Sequence, residues 1–273
     1  GSDGAGHRML KAIGIKVTDC FPSLVGLTTA ESDTHGLSGL SLKNVSLKII
    51  GSGRSGRGGS EALKSRGGSE AVSGRGGGSA KGRGTGVLYE GFGEMLFTHN
   101  GISGPLGLSA SSYIADKLTQ DKTFKAFIDI KSALDKDTLY DRICRDIDAS
   151  PKKELSFLLN GLLPKSLAAV VSDRLGIDKR KHLCDVTKQE RQAIVDILKG
   201  FELTITGTGG FKEAIITRGG VDVHEIDPST MQVKSVEGLY VAGELIDVDA
   251  LTGGYNLQIA FSTGYLAGSS LVV

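Results

Sequence analysis

The chain lacks several features that would have narrowed its function at once. No stretch of about 18 apolar residues occurs, so a membrane-spanning helix is not expected. No basic-then-apolar leader is visible. Neither sign of charge dominates: 32 Lys and Arg stand against 31 Asp and Glu, a net charge of +1, which argues against a globally basic nucleic-acid binder. The three cysteines, Cys20, Cys144 and Cys184, form no Cys-x-x-Cys pair and read as reduced thiols of a cytoplasmic protein. His7, His35, His182 and His224 share no metal-ligand spacing, so no metal site is expected. Neither a Gly-x-Ser-x-Gly nucleophile nor a Cys–His arrangement argues for hydrolysis. The apolar share, 39%, is enough to build a core and excludes wholesale disorder.

What is abundant is glycine, with 40 residues, and its placement is uneven. Between Gly51 and Gly86 lie 14 of them, with seven Lys or Arg, two Glu and no aromatic residue. That stretch carries +5, so the remainder of the chain carries −4. It contains a repeat, Arg57-Gly-Gly-Ser-Glu-Ala-Leu-Lys-Ser65 followed by Arg66-Gly-Gly-Ser-Glu-Ala-Val-Ser-Gly74. Repeats so poor in large apolar residues cannot bury a face on one another, and a flexible loop is expected. Arg-Gly-Gly segments can contact RNA, but without aromatic side chains this one offers no base-stacking platform.

Elsewhere the apolar periodicity separates strands from helices. Leu40-Ser-Leu42 and Val45-Ser-Leu47-Lys-Ile49 alternate around Lys43-Asn44, which predicts a hairpin or two neighbouring strands. Tyr89, Met95-Leu-Phe97 and Phe124 to Ile130 continue the strand pattern. From Thr138 the spacing becomes helical, through Leu139, Ile143 and Ile147 and then Leu155, Leu158, Leu159, Leu162 and Leu163. Pro164 ends or restarts the helix. Thr187-x-x-Glu190 is a capping-box signature for a further helix to Lys199, and Phe201 to Ile205 returns to strand spacing.

The C-terminal third holds the chemistry. Gly238-Leu-Tyr-Val-Ala-Gly-Glu244 predicts a turn and a short buried strand whose end presents a carboxylate. Thr252-Gly-Gly-Tyr-Asn256 then opens a helix with small residues at Ala260, Gly264, Ala267 and Gly268, spacing that allows close packing on a sheet. Free N–H groups at such a helix start suit a phosphate or an electron-rich carbonyl.

Ala242-Gly-Glu244, Asp247-Val-Asp249 and Thr252-Gly-Gly-Tyr-Asn256 together resemble the second FAD-binding motif of glutathione-reductase-like flavoproteins. More narrowly, they are similar to the BaiN/RdsA-type NAD(P)/FAD-dependent oxidoreductases, the aminoacetone-oxidase family. Three further segments share that resemblance: Gly1-Ser-Asp-Gly-Ala-Gly-His7, Gly93 to Pro105, and Thr217-Arg-Gly-Gly-Val221. The resemblance implies an α/β fold, the C-terminal part of a glutathione-reductase-like FAD/NAD(P)-binding domain interrupted by a β-barrel plus helical insert. On that basis residues 1–19 are a remnant of the FAD-binding domain and 20–135 the barrel-like part of the insert, with 51–86 as the repeat loop. Residues 136–200 are its helical part and 201–273 return to the FAD-binding domain. Family members open with a Gly-x-Gly-x-x-Gly turn that the start of this chain does not carry, so it reads as the later part of a longer protein.

The implied activity is hydride transfer between NAD(P)H, FAD and a small or steroid-like organic substrate. A non-enzymatic binding module whose Arg-Gly-Gly loop contacts nucleic acid is the alternative. By resemblance, Glu244 would accept a hydrogen bond from a ribityl hydroxyl of FAD. Gly253, Gly254, Tyr255, Asn256 and Leu257 would present backbone N–H groups to the flavin, and Asp3, Gly4, Gly6, Gly243 and Asp247 would line the cofactor. Reduced flavin gains negative charge that such donors stabilise. His99 is a candidate proton relay and Arg218 a candidate for holding a substrate carboxylate or flavin phosphate.

Overall fold

Strand periodicity and its interruption account for most of the architecture between residues 27 and 208. The computed structural model describes residues 3–51, 86–118 and 123–271. The Arg-Gly-Gly repeat falls outside the described residues. Six strands close an antiparallel barrel: β2 (Leu27–Thr29), β3 (Ser41–Ile50), β4 (Val87–Phe97), β5 (Gly101–Ser103), β6 (Phe124–Asp129) and β7 (Phe201–Thr208). They follow one another around it as β2-β5-β4-β3-β6-β7, and the pairing of Leu27 to Thr29 with Ile205 to Thr208 completes the circle. Alternate residues point inward, so Leu47, Ile49, Met95, Phe97, Ala126, Ile128, Phe201, Leu203 and Ile205 are buried. Phe97 meets Phe201 edge to face, with ring centroids 6.4 Å apart. A side chain on Gly101 would run into the Leu27 carbonyl, which is why the β2–β5 crossing needs glycine there.

Two readings of strand segments require correction. Lys43 and Asn44 do not turn the chain. They form an irregularity within one long strand, where the register slips between Leu42 and Val45 and Asn44 adopts a φ of 56°. Residues 201–208 do not begin the C-terminal segment either. As β7 they pair with β6 on one side and β2 on the other, so the insert extends through them.

Helix α2 (Gly104–Leu118) leaves β5 and packs on the barrel wall, burying Leu106, Ala110 and Ile114. The helical section predicted from Thr138 onward is α3 (Lys136–Ala149), α4 (Leu155–Leu162), α5 (Lys165–Leu175) and α6 (Lys188–Lys199). The chain restarts as α5 after Pro164, and both halves of the Thr187/Glu190 capping box are formed. Arg174 fastens this section to the barrel. Its guanidinium donates to both carboxylate oxygens of Asp33 and to the carbonyl of Glu202, and it stacks 4.0 Å above the Phe201 ring.

The two ends of the chain form a smaller module. Helix α1 (Ala5–Ala12), the two-stranded pair of β1 (Phe21–Ser23) with β8 (Ile216–Arg218), and helix α7 (Tyr255–Ser270) are its regular elements. Leu10, Ile15, Val221, Ile226, Val233, Val241 and Ile246 form its core. The strand expected to end at Glu244 is reduced to a single bridge between Gln232 and Tyr240, followed by a 3-10 turn over Gly243–Leu245. The reason lies in the local bonding: Val241 donates to Met231 and Val233 donates to Leu239, so this backbone pairs within its own turn instead of with a sheet. Among the described residues no helix is long and apolar enough to cross a membrane, and no group of His, Cys, Asp and Glu could hold a metal ion.

Candidate functional site

Gly253 and Gly254 are both left-handed, with φ of 122° and 85°, and turn the chain into α7. The first bond within that helix runs from Gln258 N–H to Gly254 O, so the N–H groups of Tyr255, Asn256 and Leu257 emerge at its end. The Asn256 side chain grips the loop before the turn, accepting from Ala250 N at 2.8 Å and donating to Ala250 O at 2.7 Å. Asn256 thus shapes the turn with its side chain as well as offering a backbone donor.

The other wall is Gly243–Leu245. Gly243, with φ 63°, donates to the Thr263 hydroxyl of α7 at 3.0 Å. The start of α1 lies against the same turn: a Cβ on Gly6 would stand 2.8 Å from the Leu245 side chain. His7 follows directly, and its charge opposes the dominant influence on Glu244, whose pKa is raised by partial burial of its carboxyl. Glu244 is exposed as a whole residue, so the shielding of its carboxyl group is partial. The Nε2 atom of His7 is buried and makes no hydrogen bond among the described residues. The start of α1 and residues 243 to 245, almost the whole chain apart in sequence, therefore meet, and Gly243 in turn is bonded to α7.

Several predicted site residues have other duties. The Asp3 carboxylate accepts from Ala5 N and is held by Arg8, which with that backbone bond lowers its pKa; it organises the entry to α1. Gly4, with φ 78°, is the N-cap of the same helix. Asp247 accepts from the Thr18 hydroxyl at 3.0 Å and donates its N–H to Val221 O, so it ties three segments together. The same hydroxyl accepts from Gly220 N, and a Cβ on Gly220 would run into the Leu245 carbonyl oxygen as one on Gly219 would into that of Asp19, which explains the Gly-Gly after Arg218. Arg218 itself donates to the Ser112 carbonyl at 2.7 Å and lies 3.8 Å from Asp116, bridging β8 to α2. His99 is exposed in the β4–β5 turn, next to Asn100, whose carbonyl accepts from Thr29 of the barrel. Sequence reasoning did not single out His7, Thr18 or Thr263 as site-building residues. Only His7 had a signal, its place in the first motif.

A closed barrel carrying helices, set between two sequence arms that meet in a glycine-lined site, defines the class. Residues 83–216, the barrel from β4 onward and the helical section, match the HI0933-like protein barrel and H2TH domain. It is 35% identical over 180 residues to the ribosomal RNA dihydrouridine synthase of Haemophilus influenzae, an alignment covering 66% of this chain and 42% of that protein. With the 3-dehydro-bile acid delta(4,6)-reductase of Clostridium scindens it shares 34% over 185 residues, 68% of this chain and 45% of the other. The ribosomal RNA dihydrouridine synthase of Escherichia coli is 32% identical over 178 residues, 65% and 42% of the two chains. The chain thus spans less than half the length of these relatives, and the family they represent is one of enzymes.

Proposed function

We propose that this chain is part of an FAD-dependent reductase that takes its hydride from NAD(P)H. The observation that carries the reading is the packing of the His7 segment on the Glu244 turn, itself bonded to α7, whose first N–H groups, from Tyr255 to Leu257, make no hydrogen bond among the described residues. The residues fit the cofactor: among the described residues nothing lies within 4 Å of a Cβ placed on Gly254, the helix end offers donors, and the buried Nε2 of His7 has no partner. Bound FAD would supply the centre that accepts and donates hydride. Glu244 would accept from a ribityl hydroxyl, and the α7 N–H groups would face the ring edge where reduction builds negative charge. Asn256, Thr263 and Asp247 would hold those groups in place.

The names of the relatives suggest the substrate chemistry. A dihydrouridine synthase saturates a ring double bond conjugated to a carbonyl, and a reductase of a 3-dehydro-delta(4,6) bile acid does the same in a steroid. The proposed reaction is therefore addition of hydride to the carbon β to a carbonyl and of a proton to the α carbon, with NAD(P)H oxidised. Purification of the protein from its own gene tests the cofactor: a visible flavin band, with FAD released on denaturation, is expected. A colourless protein that cannot be reconstituted with FAD sinks the proposal.

A further inference from the structure

We propose that His7 is a positioning residue for the bound cofactor, its Nε2–H donating to the hydroxylated ribityl chain from which Glu244 accepts. This rests on the flavin reading above and adds to it a donor that pairs with the acceptor.

The inference starts from a polar atom out of place. Nε2 of His7 is shielded from water and has no hydrogen-bond partner among the described residues. A buried polar group in that condition costs stability, and a folded protein keeps few of them. The ring sits on the first turn of α1, fixed by Gly6 packing on Leu245 and by Asp3 holding the helix entry through Ala5 and Arg8. The contact of Gly6 with Leu245 brings this turn beside Glu244, whose carboxyl senses the charge of His7. One group can donate and the other can only accept when ionised. A hydroxyl both accepts and donates, so a polyol chain between the two would satisfy both at once. A phosphate would suit His7 but would be repelled by Glu244, and an aliphatic substrate would satisfy neither. The pair thus favours a hydroxylated ligand over an anionic or an apolar one.

If the orphaned nitrogen is kept for a ligand, removing it should have opposite effects on stability and on binding. His7→Phe replaces the ring without the nitrogen, and His7→Leu serves where the larger ring is not accommodated. His7→Gln keeps an N–H donor. The measurements are FAD affinity by quenching of flavin fluorescence and thermal unfolding without FAD. Relieving the unpaired nitrogen should raise the melting temperature of the FAD-free protein by about 2–4 °C in at least one apolar variant. The same variant should bind FAD about tenfold more weakly, while His7→Gln stays within about threefold of wild type. Wild-type affinity in the apolar variants overturns the proposal. So does a loss of both stability and affinity that Gln does not rescue, since that marks a packing role. Failure of the wild-type protein to bind FAD would instead remove the flavin reading itself, and the role of His7 with it.

Discussion

The barrel with its helices and the module made from the chain ends use apolar side chains in opposite ways. In the first, inward residues of every strand meet the buried faces of α2 to α6, and one continuous core results. In the second, the core is small and the longest helix lies largely outside it: Leu257, Phe261 and Tyr265, four residues apart on α7, are 64%, 69% and 79% exposed. Its small residues, expected to press on a sheet, have only Ala267 buried. The module instead spends its interactions on shaping a turn, through Gly243 to Thr263, Asn256 to Ala250 and Asp247 to Thr18. One region is organised for stability and the other for what it presents.

That contrast can be broken at its strongest point first. Phe201→Ala removes a fully buried ring that touches both Phe97 and Arg174. A loss of about 3–5 kcal/mol is expected, read by chemical denaturation. Val241→Ala in the small core should cost less, and an equal loss would show that the two cores unfold as one.

Arg174→Met should follow in size, at about 2 kcal/mol, because it leaves Asp33 and the Glu202 carbonyl without their donor. It should also change the pH dependence. Hydrogen bonding to Arg174 is the main cause that lowers the pKa of Asp33 in the folded state. A depressed carboxylate contributes stability above its unfolded value of about 4, and that contribution disappears as pH falls through the folded value. The stability of the variant should therefore decline less between pH 5 and about pH 2 than that of wild type. Parallel curves would show that the pair contributes nothing.

Thr187→Ala removes half of a capping box and should cost about 1 kcal/mol, with the site module unaffected. The smallest effect is expected between β3 and β4. Gly51 N–H donates to Gly86 O at 3.0 Å, so the two strands are already joined by a backbone bond at their ends. Replacing residues 52–85 with a short turn should change stability by about 1 kcal/mol or less, because closure entropy grows only logarithmically with loop length. A collapse of the barrel in that variant would assign the repeat a structural role.

Local patterns were legible in the sequence, and long-range ones were not. The helices α3 to α6, the restart at Pro164 and the Thr187 cap follow from neighbours within a few residues, where spacing alone decides. Lys43-Asn44 misled because a left-handed Asn serves a bulge as well as a turn. The place of Phe201 to Thr208 depends on pairing with residues 27–29 and 124–128, which no periodicity reports. In the site, the Gly253-Gly254 turn was visible as residue types. The duties of Asp247 and Arg218 were not, because their partners Thr18 and Ser112 are distant in the chain.

The most direct test of the central claim is FAD affinity across Gly254→Val and Glu244→Ala in the protein purified from its own gene. Gly254 has open space around it but a φ of 85°, so a β-branched residue distorts the backbone that aims the helix-end donors. FAD retention should be lost in Gly254→Val, with the barrel still folded. Glu244→Ala should weaken binding by about ten- to a hundred-fold, as expected for one hydrogen bond to a charged acceptor. Wild-type affinity in both variants would contradict the account and place any flavin elsewhere.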